Sequence, residues 1–130
     1  MAIDVAAQVH YWSQGSTDDL DAAHTLLAAA KTRHAGFFVH LAIEKAIKAR
    51  VVAATRDVPP HSHDLLLLAQ RAGINLSQEQ RDFLGRVQVY CMEGRYPDQL
   101  PPPPAAQVVA RDLNDAEEIV RWLIDQLSNP

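Results

Sequence analysis

The first group of side chains suited to chemistry is a charged triplet inside an apolar stretch near the middle of the chain. Glu44 and Lys48 lie four residues apart, and Lys45 adjoins Glu44. Residues four apart share a helix face, so Glu44 and Lys48 are expected to form an ion pair. A helix that is apolar almost all round belongs in a core, and charges there need a partner or a function because burying an unpaired charge is costly.

A second group surrounds two prolines further along the chain. Arg56 precedes them, and His61 and His63 follow. An arginine can stabilise a phosphate charge while a histidine moves a proton near neutral pH, so such a pair suits attack on RNA by its own ribose hydroxyl. Arg33 and His40 have a similar spacing. Composition alone predicts about one arginine that is followed, after four to six residues, by a histidine. Spacing alone therefore does not single out Arg56, His61 and His63.

The two histidines also form a His-x-His pair beside Asp64. A zinc site needs three or four ligands, and the single cysteine, Cys91, is distant in sequence, so we expect neither a metal site nor a cofactor. The side chain of His63 is expected to hydrogen-bond backbone near the start of the following helix.

The third group is Arg95-Tyr96-Pro97. In a structural interpretation, Pro97 fixes the exit of a helix and Arg95 pairs with a carboxylate such as Glu44. In a functional interpretation, Arg95, Lys45 and Lys48 surround an anionic ligand while Tyr96 stacks on a base. Glu44 is then a residue of the same ligand site. Both interpretations can hold at once.

The elements that position these residues are helices separated by Gly, Pro and capping residues. A first helix is predicted from Ile3 to about Gln14, and a new helix capped within Gly15–Asp19 is predicted to run on to Lys31, although one helix with a kink at Gly15 is also possible. Further helices are predicted over 33–54, from an N-cap at Ser62 to about Gly73, from a capping box at Ser77 to about Gly94, and over 105–127. No stretch alternates like a strand. The sequence therefore predicts an all-α, up-and-down bundle of four or five antiparallel helices that occupies residues 1–130 as a single domain.

The last predicted helix carries apolar residues at spacings of four and three. Such a seam suits either the core of a bundle or an interface between two chains. Its members are Val109, Leu113, Ala116, Val120, Leu123 and Leu127.

Composition and charge narrow the function classes. The net charge is −4, which argues against nucleic-acid binding by bulk electrostatics alone. Residues 1–30 carry −4, residues 31–95 carry +4 and residues 96–130 carry −4, so a basic middle lies between acidic ends. No apolar run approaches the roughly 20 residues of a membrane helix, and the first residues do not have the pattern expected of a secretory signal. With one cysteine, these features predict a cytoplasmic protein without a membrane partner.

The order of three short motifs resembles the HEPN family of small prokaryotic helical domains. The motifs are Glu44-Lys45-x-x-Lys48-Ala49, Pro60-x-x-His63-Asp64-Leu65 and Tyr90-x-x-x-x-Arg95-Tyr96-Pro97. The resemblance extends roughly from Trp12 to Leu127 and is to the branch with an Arg-Tyr-Pro motif.

This resemblance implies a non-catalytic homodimeric module that binds a nucleotide or a nucleic-acid ligand. It also implies a minimal nucleotidyltransferase as partner, in a toxin–antitoxin or regulatory pair. The alternative is a metal-independent endoribonuclease toxin, since active members of the family use an Arg followed a few residues later by a His. That resemblance makes Arg56, His61 and His63 the catalytic candidates in this chain. In those members the motif lies late in the bundle, whereas here no His follows Arg95.

Overall fold

The computed structural model describes residues 2–91 and 102–128. Five helices account for most of them: α1 (Val5–Ala28), α2 (Thr32–Thr55), α3 (Leu65–Arg71), α4 (Gln78–Val87) and α5 (Ala106–Asp125), with a short 3-10 turn at Gln126–Ser128. The described residues contain no strand, which confirms the predicted all-α bundle. None of the described helices is long and apolar enough to cross a membrane.

The helix α1 runs without interruption through Gly15, so the two helices predicted on either side of it are one long helix. Small side chains let α1 lie close to α2: a Cβ on Gly15 would meet Lys45 Cδ at 3.0 Å, and the Ser16 hydroxyl donates to the Ala42 carbonyl at 2.6 Å. Because Ser16 is fully buried, this hydrogen bond fixes how the two helices are positioned along each other.

The helix α2 lies at the centre of the bundle and packs against α1, α3, α4 and α5. Its apolar side chains join those of the other helices in one hydrophobic core. Most of the seam of α5 is buried in that core, namely Val109, Leu113, Ala116, Val120 and Leu123. The seam is therefore explained by the core of one chain.

Of the helix N-caps predicted at Ser62 and Ser77, one is present in the structure, and the other is formed by a different residue. Ser77 and Gln80 form the predicted capping box at the start of α4. The N-cap of α3, however, is Asp64 and not Ser62, because the Asp64 carboxylate accepts the Leu67 amide. The Ser62 hydroxyl instead accepts the Asp64 amide and so shapes the turn before the helix.

The helix predicted from Ser77 to about Gly94 is divided. The helix α4 ends at Val87, a turn follows at Gln88, and residues 89–91 are helical again. The predicted end at Gly94 lies outside the described residues.

Candidate functional site

The buried carboxylate of Glu44 organises a polar cluster in the middle of α2. Its Oε2 accepts a hydrogen bond from Lys48 Nζ at 3.0 Å, which confirms the predicted ion pair. Its Oε1 lies 3.0 Å from His63 Nδ1 and 3.7 Å from His40 Nδ1. Glu44 is 3% exposed and Lys48 is 6% exposed, so the pair lies almost entirely out of water.

His63 reaches Glu44 because the loop that carries it is held from both sides. The His63 carbonyl accepts from Gln88 Nε2 at 2.9 Å and lies 3.1 Å from His40 Nε2. Gln88 also accepts the amide of Leu65 at 3.0 Å and so ties the loop to the end of α4. Nδ1 of the His63 ring lies against Glu44, since a buried carboxylate is a stronger acceptor than a carbonyl. The expected hydrogen bond from this side chain to backbone near the helix start stays a prediction.

A cavity of about 390 Å³ opens beside this cluster, between α1 and the loop that follows α2. Its lining residues are Gln8, Trp12, Lys48, Val58, Pro59, Pro60, His61 and His63. The volume lies within the range of roughly 300–1,000 Å³ that is typical of small-molecule sites. The mixture of one aromatic ring, apolar walls and a few nitrogen donors is also typical of such sites.

Trp12 is the main aromatic wall of the cavity. Its Nε1 donates to Gln8 Oε1 at 3.2 Å, and Lys48 Nζ lies 5.3 Å from the centroid of its ring. These two contacts fix the orientation of the indole, the second through a cation–π attraction. The sequence did not single out Trp12 as a site residue, because its approach to Lys48 depends on how α1 packs on α2.

The described residues that line the cavity include nitrogen donors and no carboxylate, which suits an anionic ligand. No acid lines the cavity, and Glu44, which lies behind its wall, is hydrogen-bonded by Lys48 and His63, so the charge of Glu44 is compensated within the protein. His61 is exposed and lines the cavity mouth. An imidazole N–H donates to phosphate oxygens, so His61 and His63 could both contact an anion there.

Lys45 lies elsewhere, on the face of α2 that packs against α1. Its Nζ lies 2.9 Å from Asp19 Oδ2 and it does not line the cavity. Burial raises the pKa of the Asp19 carboxyl, and the hydrogen bond and charge of Lys45 oppose that rise without cancelling it. The predicted contact between Lys45 and a ligand stays a prediction.

The remaining predicted site residues are Arg56, Arg95 and Tyr96. Arg95 and Tyr96 lie outside the described residues. Arg56 is the C-cap residue of α2, and its backbone adopts the left-handed conformation at φ 59°. It does not line the cavity, whereas His61 and His63 do. The catalytic grouping of these three residues therefore stays a prediction.

Within the described part of the chain, no three His, Cys, Asp or Glu side chains are arranged to hold a metal ion.

A further buried carboxylate, Asp112 on α5, was not indicated by the sequence. It accepts from Arg86 at 3.0 Å and from the Tyr90 hydroxyl at 2.6 Å. The Tyr90 ring fits there only because residue 36 is glycine, where a Cβ would lie 2.7 Å from Tyr90 Cδ1. Asp112 thus anchors the chain at the last described residues before the Arg95-Tyr96-Pro97 motif.

Comparisons with known proteins agree with this architecture. The family model of the HEPN domain matches residues 9–127. The crystal structure of TT1696 from Thermus thermophilus is 20% identical, with a TM-score of 0.75, and the match covers 92% of this chain and 98% of that one. The crystal structure of ST0689, an archaeal HEPN homologue, is also 20% identical, with a TM-score of 0.66 and coverage of 92% and 97%. No curated protein matches the sequence.

Proposed function

Because this chain belongs to the HEPN domain family, we propose that it is a non-catalytic HEPN module that binds a nucleotide or a nucleic-acid ligand in the cavity at Trp12 and Lys48. The observation that carries this proposal is the combination of an oriented indole with nitrogen donors around one cavity. Such a combination suits a planar base attached to a phosphate.

Each part of a nucleotide has a matching wall in the cavity. The Trp12 indole and the walls of Val58, Pro59 and Pro60 suit a base, which needs a flat apolar surface. His61, His63 and Lys48 suit the phosphate. The ion pair of Lys48 with Glu44 leaves little free positive charge, so we expect modest affinity and a marked dependence on salt.

The test is titration of the purified protein with ribonucleoside monophosphates, followed by calorimetry. We expect Trp12→Leu to weaken binding by about tenfold or more, because base stacking on an aromatic ring is worth about 1–3 kcal/mol. His61→Ala should weaken binding without changing the stability of the fold, since His61 is an exposed loop residue. The matched control is Trp122→Leu, which removes the only other tryptophan, on α5.

Two outcomes would contradict the proposal. One is the absence of any binding by the wild-type protein at low salt. The other is equal weakening by Trp12→Leu and Trp122→Leu, which would place the ligand away from the cavity or show that both variants act through the fold.

We further propose that the protein forms a homodimer and pairs with a minimal nucleotidyltransferase, as the family resemblance implies. The α5 seam gives this dimer no support because it lies in the core of one chain. Light scattering should give twice the 14.4 kDa mass of the chain. A small nucleotidyltransferase gene beside this one, and copurification of the two products, would support the pairing.

The alternative of a ribonuclease toxin gains no support from the geometry. His63 is engaged with Glu44, and the cavity lining includes His61 and His63 but no arginine. Incubating the protein with RNA in the presence of a chelator tests this directly. Cleavage that is lost in His63→Ala and in Arg56→Ala would establish the alternative and overturn the non-catalytic proposal.

A further inference from the structure

The cavity at Trp12 has room for one nucleotide, but the aromatic surface around it continues beyond the cavity. Tyr11 adjoins Trp12 on α1, and its ring centroid lies 5.1 Å from that of Trp12. Tyr11 is 63% exposed, the highest exposure of any large apolar or aromatic residue that the structure describes. An exposed aromatic ring beside a ligand cavity is a surface on which a second planar group can stack.

The position of Tyr11 relative to the cavity is well defined. The Trp12 indole is held by Gln8 and Lys48, and Tyr11 packs against that indole. The two rings meet at an angle of 78°, so groups stacked on them cannot lie parallel to each other. Two neighbouring bases bound in this way would have to splay apart, which a single strand allows and a base-paired duplex does not.

The charge along this part of α1 permits a phosphate to pass between the two rings. Residues 5–17 contain no Asp or Glu, although the first thirty residues are acidic as a whole. The acids of α1 begin at Asp18, more than one helical turn after Trp12. A phosphodiester that links a base at Trp12 to a base at Tyr11 would therefore meet no carboxylate of this stretch.

We propose that the site takes single-stranded nucleic acid, with one base in the cavity beside Trp12 and the adjacent base stacked on the exposed ring of Tyr11. This inference rests on the proposed function and names its ligand class. A free nucleotide occupies only the first of the two positions.

The test compares a mononucleotide with the matching dinucleotide as competitors of a fluorescent single-stranded oligonucleotide, using RNA and DNA probes in parallel. The wild-type protein should bind the dinucleotide roughly tenfold more tightly, because a second base is stacked. Tyr11→Ala should remove that advantage and leave mononucleotide affinity unchanged. Tyr11→Phe keeps the ring and should behave like the wild type. Leu66→Ala is the matched control, because Leu66 is 39% exposed on α3 and does not line the cavity.

The two proposals fail in different ways. If the mononucleotide binds and depends on Trp12, but the dinucleotide has no advantage or Tyr11→Ala has no effect, only the two-base inference is overturned. If duplex competes as well as single strand, it is also overturned. If no nucleic-acid probe and no nucleotide binds, the proposed function itself fails. If Tyr11→Ala changes the mass in light scattering but not the affinity for the dinucleotide, Tyr11 is a protein contact and the inference is wrong.

Discussion

Glu44 and Lys48 form an ion pair that lies inside the bundle, with Oε2 and Nζ 3.0 Å apart and neither residue more than 6% exposed. A solvated pair at this helical spacing would contribute only a few tenths of a kcal/mol. A buried pair behaves differently, because removing one partner leaves the other charge out of water without compensation. The pair also holds the ammonium of Lys48 against the indole of Trp12.

Glu44→Gln should therefore lower the free energy of unfolding by about 3 kcal/mol, the usual cost of breaking a buried pair. Urea denaturation followed by circular dichroism measures this change. Glu118→Gln is the control, because Glu118 is exposed on α5 and should change stability by no more than about 0.5 kcal/mol.

The double variant Glu44→Gln with Lys48→Met isolates the interaction between the two residues. Since Met replaces the unpaired ammonium with an apolar group of similar length, the double variant should be more stable than Glu44→Gln alone. Purely additive losses would show that the two charges do not stabilise each other.

Gly36 and Gly85 offer a matched pair of glycine-to-alanine substitutions. At Gly36 an added Cβ would lie 2.7 Å from Tyr90 Cδ1, whereas at Gly85 it would meet nothing within 4 Å. Gly36→Ala should destabilise the fold by about 1–3 kcal/mol through overpacking. Gly85→Ala should stabilise it by up to about 1 kcal/mol, because alanine favours helix and Gly85 lies inside α4. Equal effects in thermal or urea unfolding would show that Tyr90 does not require the glycine.

The features that the sequence predicted correctly are local ones. The helical segments, the capping box at Ser77 and the pairing of Glu44 with Lys48 depend on residues at most four positions apart. Periodicity and capping preferences report such local relationships directly. At Gly15, where the sequence left more than one possibility open, the structure has one continuous helix.

The features that the sequence missed depend on residues far apart in the chain. Trp12 lies against Lys48 because the packing of α1 on α2 brings them together. His63 contacts Glu44 because Gln88 holds the loop from the end of α4. Asp112 has no local signal at all, since its partners Arg86 and Tyr90 are on a different part of the chain. Only a folded structure brings such groups together, and three of them, Trp12, Lys48 and His63, line the candidate cavity.

The corrected N-cap of α3 gives a direct test of the loop. Asp64→Ala should cost about 1 kcal/mol, because the Asp64 carboxylate caps the Leu67 amide. Ser62→Ala removes a hydrogen bond to a turn amide, outside the helix, and should cost less. Urea unfolding of the two variants measures the difference, and a larger loss for Ser62→Ala would restore Ser62 as the cap.

Asp19 should make stability depend on pH in an unusual direction for a carboxylate. Burial raises its pKa above the ordinary value of 3.8, so the folded protein holds this proton more tightly than the unfolded chain does. As pH rises from below 3.8 through the raised pKa, the unfolded chain ionises first, and the contribution of Asp19 to stability falls. Above the raised pKa the loss is complete.

Asp19→Asn removes this titration and therefore isolates it. The stability of the wild type relative to Asp19→Asn, measured by urea unfolding at a series of pH values, should fall as pH rises through that window. The same comparison can be made between Lys45→Met and the double variant Lys45→Met with Asp19→Asn. There the fall should be larger, because Lys45 supplies the hydrogen bond and charge that oppose the rise in the pKa of Asp19. A relative stability that increases with pH would mean that the attraction of Lys45 outweighs the burial of the carboxyl, and that the ionised pair stabilises the contact between α1 and α2.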